Sequence, residues 1–565
     1  MITVSSIIQK KISRTFRIDP NLCPVFLSER PEFGDYSTNC AFVLAKERGT
    51  SPFLIAEDLR KEIESKKLLA PYCDRVEVKN GYLNFFLSDK FLVQCHADWS
   101  SCIAPLKSTE KSKRVVIDFS SPNIGKTLSV AHIRSTILGE SLSRIYEHLG
   151  WRVIRDNHLG DWGMLAAKLI AAYKLYGRKP LLRVTIADMQ KWYVRFTTSE
   201  KDHPELINRA KQETVALQGE NSESMQIWKA LRTASLREFH RLYKILEVRF
   251  DHEFGESHYR ELSSQLVPQL VRKGIAKRSQ GAIIVSLDEY GLPPILVQKS
   301  DDASLYATND FATTVFRYKK WKPDLSLYVV ANEQSLYFEQ LFRAFEKYRL
   351  SPGTKLVHVK FGMIRGADGK KLSTRRGAFI SLEELLQKAT QRAQRIAKKK
   401  NPLLKQNELI RVAAAVGIGA LKYQDLSQNR NTDIMFDWEK MLSLQGNSAP
   451  YIQYTYARLA SILRKARLKP ISSSKFVFGE EEGLLMRKCV QFGEVVEKSA
   501  SEYAPNIIAN YVYDLCSLIN GFYERIPILK SEEPQRSVRL AVIKHASETI
   551  KASLYLLGIS VMNKM

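Results

Sequence analysis

Cysteine is sparse and scattered in this 565-residue chain: Cys23, Cys40, Cys73, Cys95, Cys102, Cys489 and Cys516, an odd count with no C-x-x-C. That spacing excludes a disulfide framework and a thiolate zinc site, and each cysteine reads as a small buried apolar residue in a reducing compartment. Long apolar runs are absent too, so no stretch of about 18 residues could span a bilayer. The opening MITVSSIIQKKISRTF alternates apolar with basic residues. It lacks the apolar stretch and small-residue cleavage site of a signal peptide, and a cytoplasmic location is expected. Internal repeats and low-complexity tracts are missing, which excludes a solenoid. Acidic residues are in deficit: 60 Asp and Glu against 86 Lys and Arg leave a net charge of +26 and a pI near 9.6. A polyanion partner follows from that excess, although charge alone does not separate RNA from DNA or a membrane surface. The basic stretches RYKKWK (317–322) and RAQRIAKKK (392–400), taken singly, read as solvated faces; the second has helical spacing.

What is present is ordinary for a globular protein, 44% hydrophobic and 26% charged residues. The length is too great for one core, and three or four domains are expected. Residues 1 to 108 mix short helical and strand patterns. Within them VEVKNGYLNFFLS reads as a hairpin around Asn80-Gly81, and the polar LKSTEKSKR as a linker. Val115 to Phe119 form a buried strand followed by a turn at Pro122. Ile133, Ile137, Leu138, Leu142, Ile145 and Leu149 then recur at helical spacing, and Gly150 stops that helix. RVIRDNHLGDWG supplies the next strand and loop. Such a β-loop-α-β unit predicts a parallel sheet, to which LSLYVVA and KLVHVKF add later strands. Residues 165 to about 280 read as mostly helical insertions, with Ile227, Leu231, Phe239, Leu242 and Leu246 marking one long helix. From 401 onward the pattern is helical and amphipathic, as in a bundle. The expected domains are thus 1–108, 109–400 and 401–565.

The chemistry concentrates in SPNIGKTLSVAH (121–132). Its Gly-Lys-Thr suggests a P-loop, which needs a glycine five positions before Gly125; Ser120 stands there, and Pro122 lacks the N–H that a phosphate cradle uses. A second possibility is the His-x-Gly-His signature of class I aminoacyl-tRNA synthetases, which opens the helix after the first strand; His132 falls at that place. When a carboxylate attacks the α-phosphate of ATP, charge grows on the phosphate oxygens. A helix N-terminus with an imidazole donor stabilises it, beyond the carboxyl ends of parallel strands. Far downstream, RGADGKKLSTRRG (365–377) stands where a basic loop with Lys-Met-Ser-Lys-Ser closes on pyrophosphate. Lys371 and Ser373 match that motif, and Thr374 replaces its second lysine.

In IDFSSPNIGK, HLGDWG, LYATND, GKKLSTRRG, APYIQYTYARLASILRK and GISVMNKM, taken in order, the chain resembles the arginyl-tRNA synthetase family over nearly its whole length. The resemblance implies a multidomain α/β fold. A class I Rossmann-like parallel-sheet catalytic domain with helical insertions would lie between an N-terminal α+β tRNA-binding domain and a C-terminal all-α anticodon-binding bundle. It implies L-arginine, ATP with its Mg²⁺, and tRNA for arginine as ligands, no structural metal, no DNA or membrane partner, and a monomer. Arginine would go to the 2′-hydroxyl of the terminal adenosine, with activation dependent on bound tRNA.

Carried over residue by residue, Lys126, His132, Lys371 and Ser373 are the catalytic set, Lys126 taking the place of the lysine missing at Thr374. Ser129, Ala131, His132, Gly160 and Lys371 fall at ATP-binding positions. Asp118 and Asp310 would be the carboxylates for the substrate guanidinium, with Tyr306 one helical turn before Asp310. Asn123 and Gln334 would hold the amino-acid side of the pocket. Tyr82 and Asn84 match contacts to the tRNA D-loop; Tyr454, Arg458, Tyr523 and Met565 match anticodon contacts. The departures are Ser129 for the first histidine of the signature, Ala131 for its glycine, and Tyr337 and Tyr456 for usual histidines. A catalytically inactive tRNA- or arginine-binding paralogue is the rival reading; Ser129 and Ala131 favour it, and the other site residues oppose it.

Overall fold

A computed structural model of the chain describes residues 3–28, 30–298, 306–366, 369, 381–466 and 476–564, with Pro31 and Tyr306 described in their backbone alone. The chain divides into two compact units. One comprises Met1–Lys107, Ala393–Ser427 and Lys440–Met565, the other Ser108–Arg392 and Gln428–Glu439.

In the first unit, β1 (Val25–Leu27), β2 (Tyr36–Thr38), β3 (Cys73–Lys79) and β4 (Tyr82–Leu87) form an antiparallel sheet in the order β1-β2-β4-β3. The expected hairpin is there. Lys79 pairs with Tyr82, and Asn80 and Gly81 close the turn at φ of 54° and 81°, the left-handed pair that a two-residue turn demands. The C-terminal part is helical, with Ala449–Ala466, Asn506–Arg525 and Gln535–Leu556 burying Ile452, Leu515, Ile519, Val542 and Ile550. Sheet and bundle meet at Glu494, whose Oε1 accepts from the Tyr36 hydroxyl at 3.0 Å and from the Ser5 N–H at 3.2 Å.

The second unit is built on a parallel sheet. Its strands, in chain order, are β5 (Arg114–Asp118), β6 (Arg152–Asp156), β7 (Lys277–Ser279), β8 (Ala282–Val285), β9 (Ile295–Gln298), β10 (Leu325–Tyr328), β11 (Lys355–His358), β12 (Ile364–Arg365) and β13 (Ile434–Met435). Four of them make the sheet in the order β11-β10-β5-β6, every neighbour parallel. The β-loop-α-β unit read from the sequence is β5, the helix Val130–His148, and β6. That helix lies close on the sheet because Gly139 has no side chain: a Cβ there would come within 2.2 Å of the Phe119 ring. Between β6 and β7 the segment is helical, as expected from residue 165 to about 280, including the long helix Ser222–Ile245. The antiparallel sheet β7-β8-β9 was not anticipated; strands of three or four residues carry too little alternation to read. Among the described residues no helix is long and apolar enough to cross a membrane.

Candidate active site

The floor of the site is a row of strand ends. Asp118, Asp156, Tyr328 and His358 close β5, β6, β10 and β11 and lie side by side in register. Arg317, on the helix Tyr306–Trp321, is buried beneath them. Its Nη2 donates to Asp118 Oδ2 at 2.7 Å and its Nε to Asp156 Oδ2 at 2.9 Å. Burial pushes Asp156 up to about 6 against the pull of Arg317. The second oxygen of Asp118 accepts from the Ser121 hydroxyl at 3.0 Å.

Asp118 was expected as one of the carboxylates for the substrate guanidinium. It is 8% exposed, and its charge already answers an internal guanidinium. Two further carboxyl groups are Asp310, on which the charge of Arg317 also acts, and Glu256. Asp310 sits at the start of the second turn of the Arg317 helix. Burial pushes it up to about 6, while the Tyr337 hydroxyl, which donates to it, pulls the other way. Glu256 opens the helix Glu256–Arg272. Burial, then the charges of Asp161 and Asp310, push it up to about 8. Asp161 is itself held by Arg232 Nε at 2.8 Å and by the Ser257 N–H at 2.9 Å. A carboxyl pair that ionises reluctantly when alone is stabilised as a pair of anions by an incoming cation. A planar guanidinium, with five donors and a fixed charge, suits such a pair. Glu256 carries no motif that marks it in the sequence, and Tyr337 was seen there only as a departure.

The phosphate end lies at the N-terminus of Val130–His148. His132 Nδ1 accepts from the Ser129 N–H at 3.1 Å and lies 3.0 Å from the Ser129 hydroxyl. With Nδ1 an acceptor, the ring proton sits on Nε2. Burial, with Lys126 adding to it, lowers the His132 pKa, so a neutral ring presents Nε2–H. Ser129, the replacement for the first histidine, therefore orients the second. Ala131 is exposed in the first turn, and Lys126 is exposed with its ammonium 5.3 Å from the Tyr193 ring centre. The Asn123 loop is docked on HLGDWG by Ile124 N–H to Gly160 O and Gly160 N–H to Pro122 O, both 3.1 Å. A Cβ on Gly160 would lie 1.9 Å from Asn123 Oδ1, so the absent side chain at Gly160 seats Asn123. Gln334 is exposed in a short turn beyond β10.

Lys371, Ser373, Met565 and the side chain of Tyr306 lie outside the described residues. The chain on either side of the KLSTR segment does not. Leu382 N–H donates to Leu128 O at 2.8 Å, just before the His132 helix. On the other side β12 pairs with β13, Arg365 meets Asp433 at 2.6 Å, and Arg134 donates to Gly362 O at 2.6 Å and Thr432 O at 3.0 Å. Among the described residues no group of three His, Cys, Asp or Glu side chains could hold a metal ion.

In the first unit Arg458 lies between two exposed rings, its guanidinium 5.0 Å from Tyr454 and 5.1 Å from Tyr523; three of the four residues expected at the anticodon lie together. Tyr456 is buried, with its hydroxyl 3.4 Å from Asn563 Oδ1. On β4, Tyr82 and Asn84 line one cleft of about 780 Å³. Tyr82 is 37% exposed at its rim. Asn84 corrects its expectation as a base contact: it is 3% exposed and accepts from the Ser37 hydroxyl at 2.7 Å, tying two strands.

Comparison with known proteins extends over the whole chain. Residues 102–438 match the family of class I tRNA synthetases (R), catalytic domain. Residues 452–565 match the DALR anticodon binding domain, and residues 3–87 the arginyl tRNA synthetase N terminal domain. An Arginine--tRNA ligase of Fusobacterium nucleatum is 38% identical over 582 residues, covering 100% of this chain and 99% of that relative. One from Streptococcus suis is 38% identical, covering 95% and 96%. Among solved structures, the arginyl-tRNA synthetase of Thermus thermophilus matches in fold with a TM-score of 0.85 at 23% identity, each chain covered fully. That of Plasmodium falciparum gives 0.83 at 25% identity, covering 100% of this chain and 98% of the other.

Proposed function

The chain belongs to the arginyl-tRNA synthetases, and from that premise we propose that it activates L-arginine with ATP and transfers it to tRNA. In the first step the arginine carboxylate attacks the α-phosphate and pyrophosphate leaves. In the second, the 2′-hydroxyl of the terminal adenosine takes the arginyl group from the adenylate. The observation that carries the reading is the pair of buried carboxyls Asp310 and Glu256, pushed up to about 6 and about 8, in the unit that also offers His132 Nε2–H at a helix N-terminus. One end suits a guanidinium and the other a phosphate.

In this reading Asp310, oriented by Tyr337, and Glu256 take the guanidinium, and Asn123 and Gln334 take the amino-acid end. Asp118 and Arg317 set the field beneath them. His132, neutral, donates to the α-phosphate as its charge grows; Lys126, Lys371 and Ser373 complete the phosphate side. Mg²⁺ supplies charge neutralisation to the nucleotide it accompanies. Tyr82 and the Tyr454–Arg458–Tyr523 stack take unpaired bases of the tRNA. The seven free cysteines and the absence, among the described residues, of a membrane-crossing helix support a cytoplasmic enzyme, which we take to act as a monomer. Pyrophosphate exchange with arginine, with and without tRNA, tests the reading: exchange that requires tRNA is expected, and no exchange with tRNA present would overturn it in favour of an inactive binding paralogue.

A further inference from the structure

A groove of about 350 Å³ runs along the outer edge of β6, lined by Arg114, Arg152, Asp251, His252, Lys320 and Trp321 among others. Two features distinguish it from a solvated basic surface. The first is a cluster of near-parallel rings. Trp321 lies 5.0 Å from His252 and 6.4 Å from Phe254, His252 4.9 Å from Phe254, and Phe254 4.2 Å from His258, each pair within 24° of parallel. Both histidines are held below their ordinary pKa, first by burial and then by Lys320, so their rings are neutral. The second is charge: three permanent cations line the groove against the single carboxylate of Asp251, and Asp251 already accepts from the Arg155 N–H at 2.8 Å. Arg114 is aimed by its bond to Trp321 O at 2.8 Å. Lys320 sits 4.8 Å over Phe254 and 5.7 Å over Trp321. The RYKKWK stretch thus contributes one ring and one cation to a shaped site.

We infer that this groove is a second nucleotide-binding site, separate from the active site: a base stacks against Trp321 and His252, the two rings of the cluster that line the groove, and its phosphate takes Arg114, Arg152 and Lys320. A planar base with an adjoining phosphate is the ligand that uses both features; a bare anion leaves the rings idle, and an apolar ring leaves the cations idle. The nucleotide comes either from solution or from a single strand of RNA.

Two probes separate these sources, each offered to the full-length enzyme with its active site filled by a sulfamoyl analogue of arginyl-adenylate, which lacks a phosphate. One is 8-azidoadenosine 5′-monophosphate, the other a 12-nucleotide oligoadenylate. Photolabelling is expected in peptides spanning 251–258 or 317–322. Arg152→Glu is expected to weaken the bound probe about tenfold or more with pyrophosphate exchange unchanged, and Trp321→Leu to weaken it about tenfold. Binding of the monophosphate assigns the free nucleotide; binding of the oligomer alone assigns an RNA strand. The inference fails if neither probe binds, or if binding survives Arg152→Glu. It fails equally if inorganic phosphate or poly-glutamate competes as well as the nucleotide does and Trp321→Leu has no effect.

Discussion

Arginine should bind this enzyme with a steep pH dependence that its own charge cannot supply, because the guanidinium stays protonated throughout the working range. The source is Glu256, pushed up to about 8 by burial and by its acidic neighbours. A raised carboxyl carries its proton below that value, and a bound guanidinium favours the ionised form. Binding at low pH must therefore expel the proton first. At pH 6, two units below the free-state value, that costs about 3 kcal/mol at ~1.4 kcal/mol per unit. Asp310, pushed up to about 6, adds a factor of about two at the same pH. The KM for arginine is expected to fall roughly 50- to 100-fold between pH 6 and pH 8 and to level off above. It should be read in pyrophosphate exchange at saturating ATP and tRNA. Calorimetry in buffers of different ionisation enthalpy should report close to one proton released per arginine bound at pH 7. Glu256→Gln should flatten most of the slope. A flat wild-type profile, or a Gln variant that keeps the slope, would refute the assignment.

Tyr337→Phe removes the hydroxyl that donates to Asp310; the KM for arginine should rise about tenfold while that for ATP stays within about twofold, and equal changes in both would count against the pocket. Ser129→Ala leaves His132 Nδ1 only the backbone donor, so kcat/KM for ATP should fall about fivefold, against roughly 100- to 1,000-fold for His132→Ala; equal losses would mean that Ser129 touches ATP itself. Arg458→Ala takes the cation from between Tyr454 and Tyr523, and tRNA binding measured by filter retention should weaken about tenfold with the KM for arginine unchanged.

Periodicity made the frame legible. The β5–helix–β6 unit, the long helix Ser222–Ile245 and the Asn80-Gly81 hairpin follow from spacing and turn chemistry within one stretch of chain. The pocket was harder, because its electrostatics depend on which charges meet across the fold. Asp118 and Asp310 look alike in sequence. Only the placement of Arg317, 199 residues beyond Asp118, shows that Asp118 is already paired. Glu256 is one acid among 60 until the fold sets it beside Asp161 and Asp310. Asn84 shares a strand face with Tyr82, and alternation alone does not tell that Ser37 lies against it.

The two signature segments are separated by about 240 residues, yet the described chain on either side of the second meets the helix that the first opens. The chain re-emerges from the KLSTR segment at Ser381, which bridges to Ser129, and Leu382 bonds back to Leu128. On the other side Gly362 is gripped by Arg134, two residues beyond His132. The described residues that flank the KLSTR segment are thus tied to the chain around His132. This bears on the changed signature. Ser129 supplies no imidazole of its own, but its hydroxyl and N–H both meet the Nδ1 of His132 and fix which face carries the proton. In the proposed reading a phosphate at that helix would meet one well-oriented imidazole and the backbone N–H groups of the first turn. One lost imidazole removes one donor from that set and leaves the positions of the others intact. The substitution is thus compatible with catalysis, and its cost should fall on ATP affinity more than on the reaction that follows.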